Sequence, residues 1–305
     1  GMHGNYGPNV LTNECDVQIA VGMRFDDRVT GRQDKYAKQA KVIHLDIDPA
    51  EIDKNVKTTV PVWGDCKETL PLLTLLIDKK NHTEWRNKFR DLQKEEDEKC
   101  IFPELHPSSG ILSMGEVIDA LNELTGGNAI IVTDVGQHQM VACRYSKFNQ
   151  PKSNITSGGL GTMGFGLPAA IGAKFGAPER TVVAIVGDGG FQMTLQELGT
   201  IMQTGLDVKI IILNNHFLGM VRQWQQLFND KRYSFVNIES PDFVALGKAY
   251  SIASQRTSDR SELKKDLANM LQHKGPYLLE IMVGKENNVF PMVPQGCSVS
   301  EIRLS

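Results

Sequence analysis

Asp188 and Asn215 each stand at the end of an apolar run of the chain. The runs TVVAIV (181–186) and KIIIL (209–213) lead into them, and a helix is expected between the two runs. This is the length of one strand–helix–strand unit, about 30 residues. Because parallel strands joined by a crossover end at the same sheet edge, the two side chains should converge where ligands of open α/β sheets bind.

The two side chains offer the oxygen ligands of a hard cation. Carboxylate and amide oxygens suit Mg²⁺ or Ca²⁺, and Mg²⁺ commonly completes its shell with water and substrate phosphates. Gly189 and Gly190 open the next helix, where free backbone N–H groups and the helix dipole favour an anion such as a diphosphate. The pattern predicts a metal–diphosphate anchor. The alternative is an ordinary strand-end turn in which Asp188 caps the helix. This alternative would explain GDGG (187–190) if it stood alone, but it does not explain the two asparagines at the end of the next apolar run.

A glycine-rich stretch, SGGLGTMGFGLPAAIGA (157–173), contains a match to the dinucleotide fingerprint G-x-G-x-x-G. That fingerprint must follow a buried strand. The preceding segment, NQPKSNITS (149–157), is polar and contains a proline. The sequence therefore disfavours a nicotinamide site. It leaves open whether the glycines allow a different ligand to approach the backbone or allow helices to pack closely.

Two α/β patterns position these residues. The first, residues 1–98, has apolar runs at 16–22 and 41–48 that predict buried parallel strands, and a helix at 67–80 with its apolar side inward. A charged surface helix with a narrow apolar stripe follows at 82–100. Two or three strands are few for such a sheet, so this domain is expected to be partial. Two prolines and a Ser-Ser-Gly predict a linker at 99–112.

The second pattern, residues 113–305, begins with a predicted capping box of Ser113 and Glu116. Its strand candidates lie at 128–136, 181–190, 209–215 and 277–283, with helical stretches between them. This alternation predicts an α/β fold of two open parallel-sheet domains with helices on both faces.

Composition narrows the classes of partner. The net charge is −3 with no run of Lys or Arg, which argues against nucleic acid. The longest apolar runs are too short to span a bilayer, so no membrane contact is expected. The five cysteines form no C-x-x-C pair, which favours a reducing compartment and a cytoplasmic location.

The whole chain resembles the catalytic subunit of the acetohydroxyacid synthases (acetolactate synthases), a family of thiamine diphosphate enzymes. GDGG with NN resembles the cofactor signature of these enzymes. The segments that carry the longer match are GMHG (1–4), RFDDRVTG (24–31), HLDID (44–48), TDVGQHQM (133–140), SGGLGTMGFGLPAAIGA (157–173), GDGGFQMTLQEL (187–198), NNHFLGMVRQWQ (214–225) and FPMVP (290–294). The resemblance is to the C-terminal half of the family's chain. It implies the thiamine-diphosphate-binding fold, with a partial central domain at 1–98 and the pyrophosphate-binding domain at 113–305.

The resemblance implies several contacts with the cofactor and its metal ion. Mg²⁺ would be held by three groups: the side chains of Asp188 and Asn215 and the backbone carbonyl of Phe217. The diphosphate would lie around four residues, namely Gln137, His138, Gly189 and Gly190. Met163 would support the bend between the two rings of the cofactor, where a polarisable thioether fills an irregular gap. The carbonyl of Gly161 would accept from the 4′-amino group of the cofactor.

The reaction that the resemblance implies is decarboxylation of pyruvate and transfer of the hydroxyethyl unit to a second 2-ketoacid, pyruvate or 2-ketobutyrate. This is the first common step of branched-chain amino acid biosynthesis. Arg28 would engage the acceptor carboxylate. Trp224 would line the acceptor pocket together with Met220 and Val221. Without the resemblance, Arg28 would be interpreted as a surface ion pair and Trp224 as a core aromatic residue.

The resemblance also implies FAD along His3 to Arg24 and Asp46 to Asp65, although Asp46 alone fits strand-end capping equally well. A homodimer or homotetramer and a small regulatory subunit are expected. The family takes a catalytic glutamate from an N-terminal domain that these residues do not include, so we expect little carboligase activity from this chain alone, and FAD binding is expected to lack half of its cleft. Val141 stands where the family usually has Trp.

Two alternative functions stay open. The chain could belong to another thiamine enzyme, such as pyruvate oxidase or glyoxylate carboligase, or it could be a non-catalytic cofactor-binding or assembly fragment.

Overall fold

The chain divides into two compact units in a computed structural model that describes all 305 residues. One unit comprises Gly1–Pro103 with Phe290–Ser305, and the other comprises Glu104–Val289. This division differs from the domain limits predicted above mainly in the last segment, which the sequence analysis joined to the second domain. The limits 1–98, 99–112 and 113–305 stay a prediction.

The first unit contains a three-stranded parallel sheet in the order β1-β2-β3. Its strands are β1 (Val17–Val21), β2 (Lys41–Asp46) and β3 (Val60–Trp63). Its helices are α1 (Tyr6–Thr12), α2 (Asp27–Thr30), α3 (Cys66–Leu75) and α4 (Thr83–Glu96), with 3₁₀ turns at Gln33–Lys35 and Val299–Glu301 and a π-helical turn at Asp97–Ile101. Helix α5 (Phe102–Leu105) contains the division between the units.

Two predictions for the first unit were wrong about burial. Helix α3 forms as expected, but none of its residues is buried, and Leu72 and Leu75 are exposed. Strand β1 exposes Val17 and Ile19 and buries only Ala20. An apolar run shows that a segment can be buried, but whether another element covers it depends on the tertiary structure. Strand β3 was not predicted, because it is short and contains a proline.

The second unit contains a six-stranded parallel sheet in the order β5-β4-β6-β7-β9-β8. Its strands are β4 (Ile130–Thr133), β5 (Asn154–Ile155), β6 (Val182–Gly187), β7 (Val208–Asn214), β8 (Ala253–Thr257) and β9 (Tyr277–Met282). All four predicted strands form, and the α/β fold class with parallel sheets is confirmed. Strands β5 and β8 were missed, since one has two residues and the other reads ASQRT.

Helices cover both faces of this sheet. They are α6 (Met114–Thr125), α7 (Gln137–Tyr145), α8 (Gly166–Gly176), α9 (Asp188–Thr194), α10 (Leu198–Thr204), α11 (Gly219–Phe228), α12 (Phe243–Ala249) and α13 (Arg260–Gln272), with a 3₁₀ turn at Leu195–Glu197. Val183 and Ile211 belong to the apolar cluster on one face, and Val182 and Ile210 to the cluster on the other. Every residue of β6 and β7 is buried, so the ends of these two strands are firmly held.

Helix α6 begins at the predicted capping box. The Ser113 hydroxyl accepts from the Glu116 N–H at 3.0 Å, and the Glu116 carboxylate accepts from the Ser113 N–H at 2.9 Å. The capping-box prediction is therefore confirmed.

Candidate functional site

A cavity opens at the carboxyl ends of β4, β6 and β7. Its walls include ten of the residues proposed from the sequence: Gln137, His138, Met163, Asp188, Gly189, Gly190, Asn215, Phe217, Met220 and Val221. Segments far apart in the chain thus meet at the sheet edge where the strand–helix–strand argument placed Asp188 and Asn215.

Asp188 follows β6 directly and is the first residue of α9. Gly187 occupies the N-cap position, so the alternative in which Asp188 serves as the helix cap is wrong. The carboxylate is buried, and its Oδ2 lies 3.4 Å from the Ser240 hydroxyl that donates to it. Burial raises the pKa of Asp188 to about 6. A cation bound at this carboxylate would favour its ionised form and offset the cost of burying the charge.

Asn215 lies in the turn that follows β7. Its Oδ1 accepts from the Phe217 N–H at 3.1 Å, and the Oδ1 of Asn214 accepts from the His216 N–H at 3.0 Å. Asparagine side chains commonly bond to the backbone two residues on and so build turns of this kind. The consecutive asparagines therefore shape the turn, and the second lone pair of the Asn215 oxygen is free for another partner.

The first turn of α7 brings two polar side chains to the cavity. The Gln137 amide donates to the Gln223 side chain and to the Asn287 carbonyl, both at 2.9 Å, while its own Oε1 is buried without a partner. The Nε2 atom of His138 is also buried without a partner. Burial lowers the pKa of His138 to about 4, so its ring is neutral at physiological pH. Buried polar atoms normally have partners, so this pair fits a site that a polar ligand completes.

The glycines of this edge are needed for close approach of protein atoms. A Cβ at Gly187 would lie 2.8 Å from the His138 ring, and a Cβ at Gly190 would lie 1.8 Å from the Asp134 carboxylate. Side chains at these two positions would displace their buried neighbours. The glycines thus allow the polar groups that follow β4 to pack closely against the end of β6 and the start of α9.

Asp134 was missed by the sequence analysis as a candidate site residue. It follows β4 as Asp188 follows β6, so an acidic residue after an apolar run was the available signal. Its Oδ1 accepts from the Gly166 N–H at 3.0 Å, its Oδ2 is buried without a partner, and burial raises its pKa. Asp134 connects the end of β4 to the start of α8.

Known proteins match both units. The family described as "Thiamine pyrophosphate enzyme, C-terminal TPP binding domain" matches residues 134–281, and "Thiamine pyrophosphate enzyme, central domain" matches residues 1–73. The chain belongs to the thiamine pyrophosphate enzyme family. The first match contains Asp188, Asn215 and nearly all the walls of the cavity.

Curated relatives of this family are acetolactate synthase large subunits. The chain is 43% identical to the isozyme 2 large subunit of Escherichia coli K12, over 99% of this chain and 54% of the relative. It is 43% identical to the large subunit of Lactococcus lactis, over 99% and 52%, and 44% identical to that of Parasynechococcus marenigrum, over 99% and 49%. The chain therefore spans about half the length of these relatives.

None of the helices combines the length and the apolar composition that a membrane-spanning helix requires.

The loop that resembles the ring-binding segment of the thiamine pyrophosphate enzymes is held from two sides. Met163 reaches the cavity, while Gly161 lies in the exposed loop before it with a φ of 63° and is not part of the cavity wall. The Thr194 hydroxyl donates to the Gly164 carbonyl at 2.9 Å, and Asp134 binds the Gly166 N–H on the other side.

The three residues predicted to line the acceptor pocket all lie in helix α11, but only two of them reach the cavity. Met220 and Val221 in its first turn line the cavity, whereas Trp224 lies one turn further on and does not. The Trp224 ring packs on Phe228 with 4.9 Å between centroids. The structure thus brings two of these three side chains to the cavity.

Five predicted residues belong to the first unit: His3, Arg24, Arg28, Asp46 and Asp65. Asp46 ends β2 and accepts from the Asp48 N–H at 2.9 Å, which is the strand-end capping weighed above. Asp65 is the N-cap of α3. Their assignment to FAD or to the acceptor stays a prediction.

Proposed function

We propose that the cavity binds thiamine diphosphate through Mg²⁺ and serves acetolactate synthesis. The reaction joins the hydroxyethyl unit left by decarboxylation of pyruvate to a second 2-ketoacid, either pyruvate or 2-ketobutyrate. The observation that carries the proposal is the meeting of Asp188 and Asn215 with the unpartnered atoms of Gln137 and His138 in one cavity. The naming of the relatives as acetolactate synthase large subunits supports the reaction.

The metal would be held by oxygen ligands only: the Asp188 carboxylate, the Asn215 amide oxygen and the Phe217 carbonyl. No group of three or more His, Cys, Asp or Glu side chains is placed to hold a metal ion anywhere in the chain. Two side chains and one carbonyl leave the rest of an octahedral shell to diphosphate oxygens and water, as is usual for Mg²⁺. The N–H groups of Gly189 and Gly190 at the start of α9 would face the diphosphate.

Thiamine diphosphate, when bound, supplies the nucleophilic carbon and the electron sink for decarboxylation. The residues of this chain orient it and keep water away. Met163, in the cavity wall, would fill the gap beside the cofactor rings. The Gly161 carbonyl would accept a hydrogen bond from the cofactor's amino group. Leu213, Leu218 and Met220 give the cavity an apolar wall. Such a wall would favour decarboxylation, because it disfavours the charged carboxylate relative to neutral CO₂.

Three assignments extend beyond this cavity. Arg28 would bind the acceptor carboxylate, Trp224 would shape the acceptor pocket with Val221, and FAD would lie along the segments from His3 and from Asp46. The large-subunit names of the relatives support a small regulatory partner, and a homodimer or homotetramer is the proposed assembly.

Calorimetric titration with thiamine diphosphate tests the site. We expect binding in the presence of Mg²⁺ and much weaker binding in the presence of a chelator. Asp188→Ala and Asn215→Ala should abolish the dependence on Mg²⁺, because each removes a metal ligand. Asp230→Ala is a matched control, since the Asp230 side chain is 93% exposed and belongs to no part of the cavity. Metal-dependent binding that survives in Asp188→Ala would contradict the site.

A further inference from the structure

A buried carboxylate lies behind the proposed metal turn and outside the cavity wall. Glu280, in β9, is only 1% exposed. Its Oε1 accepts from the Asn214 amide at 2.8 Å, and its Oε2 accepts from the Arg256 guanidinium at 2.7 Å. Both oxygens are therefore used, one toward β7 and the other toward β8.

Strand β9 does not need a charge at this position for its own packing. It reads YLLEIM, and Leu278, two residues before Glu280 on the same face, belongs to the apolar core. Burying a carboxylate is costly even when it is paired, and apolar residues often replace buried ion pairs without loss of stability. The charge of Glu280 therefore points to a role beyond holding the sheet together.

That role follows from the contacts of Asn214. The Asn214 Nδ2 group donates to Glu280, so the Oδ1 atom of the same amide faces the His216 N–H. This Oδ1 accepts a hydrogen bond from the His216 N–H at 3.0 Å. His216 has a φ of 57°, in the left-handed region that a non-glycine residue enters only when its surroundings hold it there. The His216 carbonyl accepts from the Ile238 N–H at 2.9 Å, which fixes the other side of the turn.

We propose that Glu280 and Arg256 are positioning residues for the metal ion. They orient Asn214, Asn214 holds His216 in the left-handed conformation, and this conformation fixes the directions of the Asn215 side chain and the Phe217 carbonyl. The inference rests on the proposed function of that turn. Groups that orient metal ligands without touching the metal commonly change metal affinity 10–100-fold when they are replaced.

The measurement is the Mg²⁺ concentration that gives half-maximal binding of thiamine diphosphate, read by calorimetry. In Glu280→Gln the charge is lost, and the amide has one oxygen for two donors, Asn214 and Arg256. An N–H group must then face either Asn214 or Arg256, so the contact that orients Asn214 is lost or is no longer held in place by the ion pair. We expect this concentration to rise about 10–100-fold, with near-normal cofactor binding at saturating Mg²⁺. Arg256→Gln changes a side chain that is 46% exposed, and it should shift the midpoint in the same direction by a smaller factor.

Arg260→Gln is the matched control. Arg260 also pairs with a buried carboxylate, that of Glu116, but at the start of α6 and away from the turn. It should lower the melting temperature and leave the Mg²⁺ midpoint unchanged, so loss of an ion pair is separated from loss of positioning.

The outcomes are distinguishable. If the wild-type chain binds thiamine diphosphate without any need for Mg²⁺, the proposed function fails, and this inference fails with it. If the wild-type chain needs Mg²⁺ and folded Glu280→Gln and Arg256→Gln keep its midpoint, only the positioning role is overturned. If Glu280→Gln does not fold, Arg256→Gln decides the question.

Discussion

Gly190→Ala is the substitution whose effect the geometry predicts most sharply. A Cβ at this position would lie 1.8 Å from Oδ2 and 2.9 Å from Cγ of Asp134, and ordinary contact begins only at 3.4 Å. Asp134 cannot simply turn away, because it is fully buried and its Oδ1 holds the Gly166 N–H at 3.0 Å. Either the start of α9 or the carboxylate must move by more than an ångström.

The expected cost follows from these two alternatives. Overpacking of a buried site costs about 1–3 kcal/mol, and a hydrogen bond to a charged group contributes about 1.5–3 kcal/mol. We therefore expect the free energy of unfolding of the second unit to fall by about 3 kcal/mol, which for a domain of this size lowers the melting temperature by about 6–12 °C. Alanine would otherwise stabilise a helix relative to glycine by about 0.5–1 kcal/mol.

Thermal unfolding followed by circular dichroism measures this effect, and Gly172→Ala is the control. Gly172 is a helical glycine in α8 whose Cβ would meet nothing within 4 Å, so that variant should be as stable as the wild type or more so. In the double variant with Asp134→Ala, the change at Gly190 should cost at least about 1 kcal/mol less than it does alone. Equal melting temperatures for Gly190→Ala and Gly172→Ala would show that the Asp134 carboxylate does not obstruct a side chain at position 190.

Three further predictions concern other parts of the chain. Burial raises the pKa of Glu104 from an ordinary 4.5 to about 7, so stability that is present in acid is lost as the pH rises from about 4.5 to 7. Glu104→Gln should remove that loss, which amounts to up to about 3 kcal/mol and is measured by urea unfolding at several pH values. Arg222 is fully buried, donates to Asn288 at 2.8 Å and forms no ion pair. Arg222→Met should lower the free energy of unfolding by about 1–3 kcal/mol in the same measurement. An unchanged urea midpoint would show that this hydrogen bond contributes nothing to stability. Burial raises the pKa of the Cys100 thiol to about 11 and covers it, whereas Cys143 is exposed, although its pKa is raised as well. Mass spectrometry should therefore find Cys100 alkylated more slowly than Cys143 at pH 8.

The sequence was sufficient to place the two strand ends that carry the proposed metal ligands. Strands β6 and β7 are continuous apolar runs, and a βαβ crossover has one favoured hand, so the convergence of Asp188 and Asn215 followed from pattern alone. The resemblance added Gln137, His138 and Met163, which come from loops and helices far away in the chain, and all three line the same cavity.

The sequence could not show contacts that depend on how elements pack. Nothing in the local pattern relates Asp134 to Gly190 or Glu280 to Asn214, because each pair joins segments that are distant in the chain. The same limit explains the errors about α3: its leucines are spaced as in a helix with a buried side, yet none is buried. Burial is a property of neighbours, and an isolated segment does not specify them.

A crystal structure of the chain grown with thiamine diphosphate and Mg²⁺ would test the proposed metal site most directly. We expect one metal ion bound by the Asp188 carboxylate, the Asn215 amide oxygen and the Phe217 carbonyl at about 2.0–2.1 Å, with diphosphate oxygens completing its shell at the start of α9. A cofactor bound in the cavity with its metal on other residues, or bound elsewhere on the chain, would contradict it.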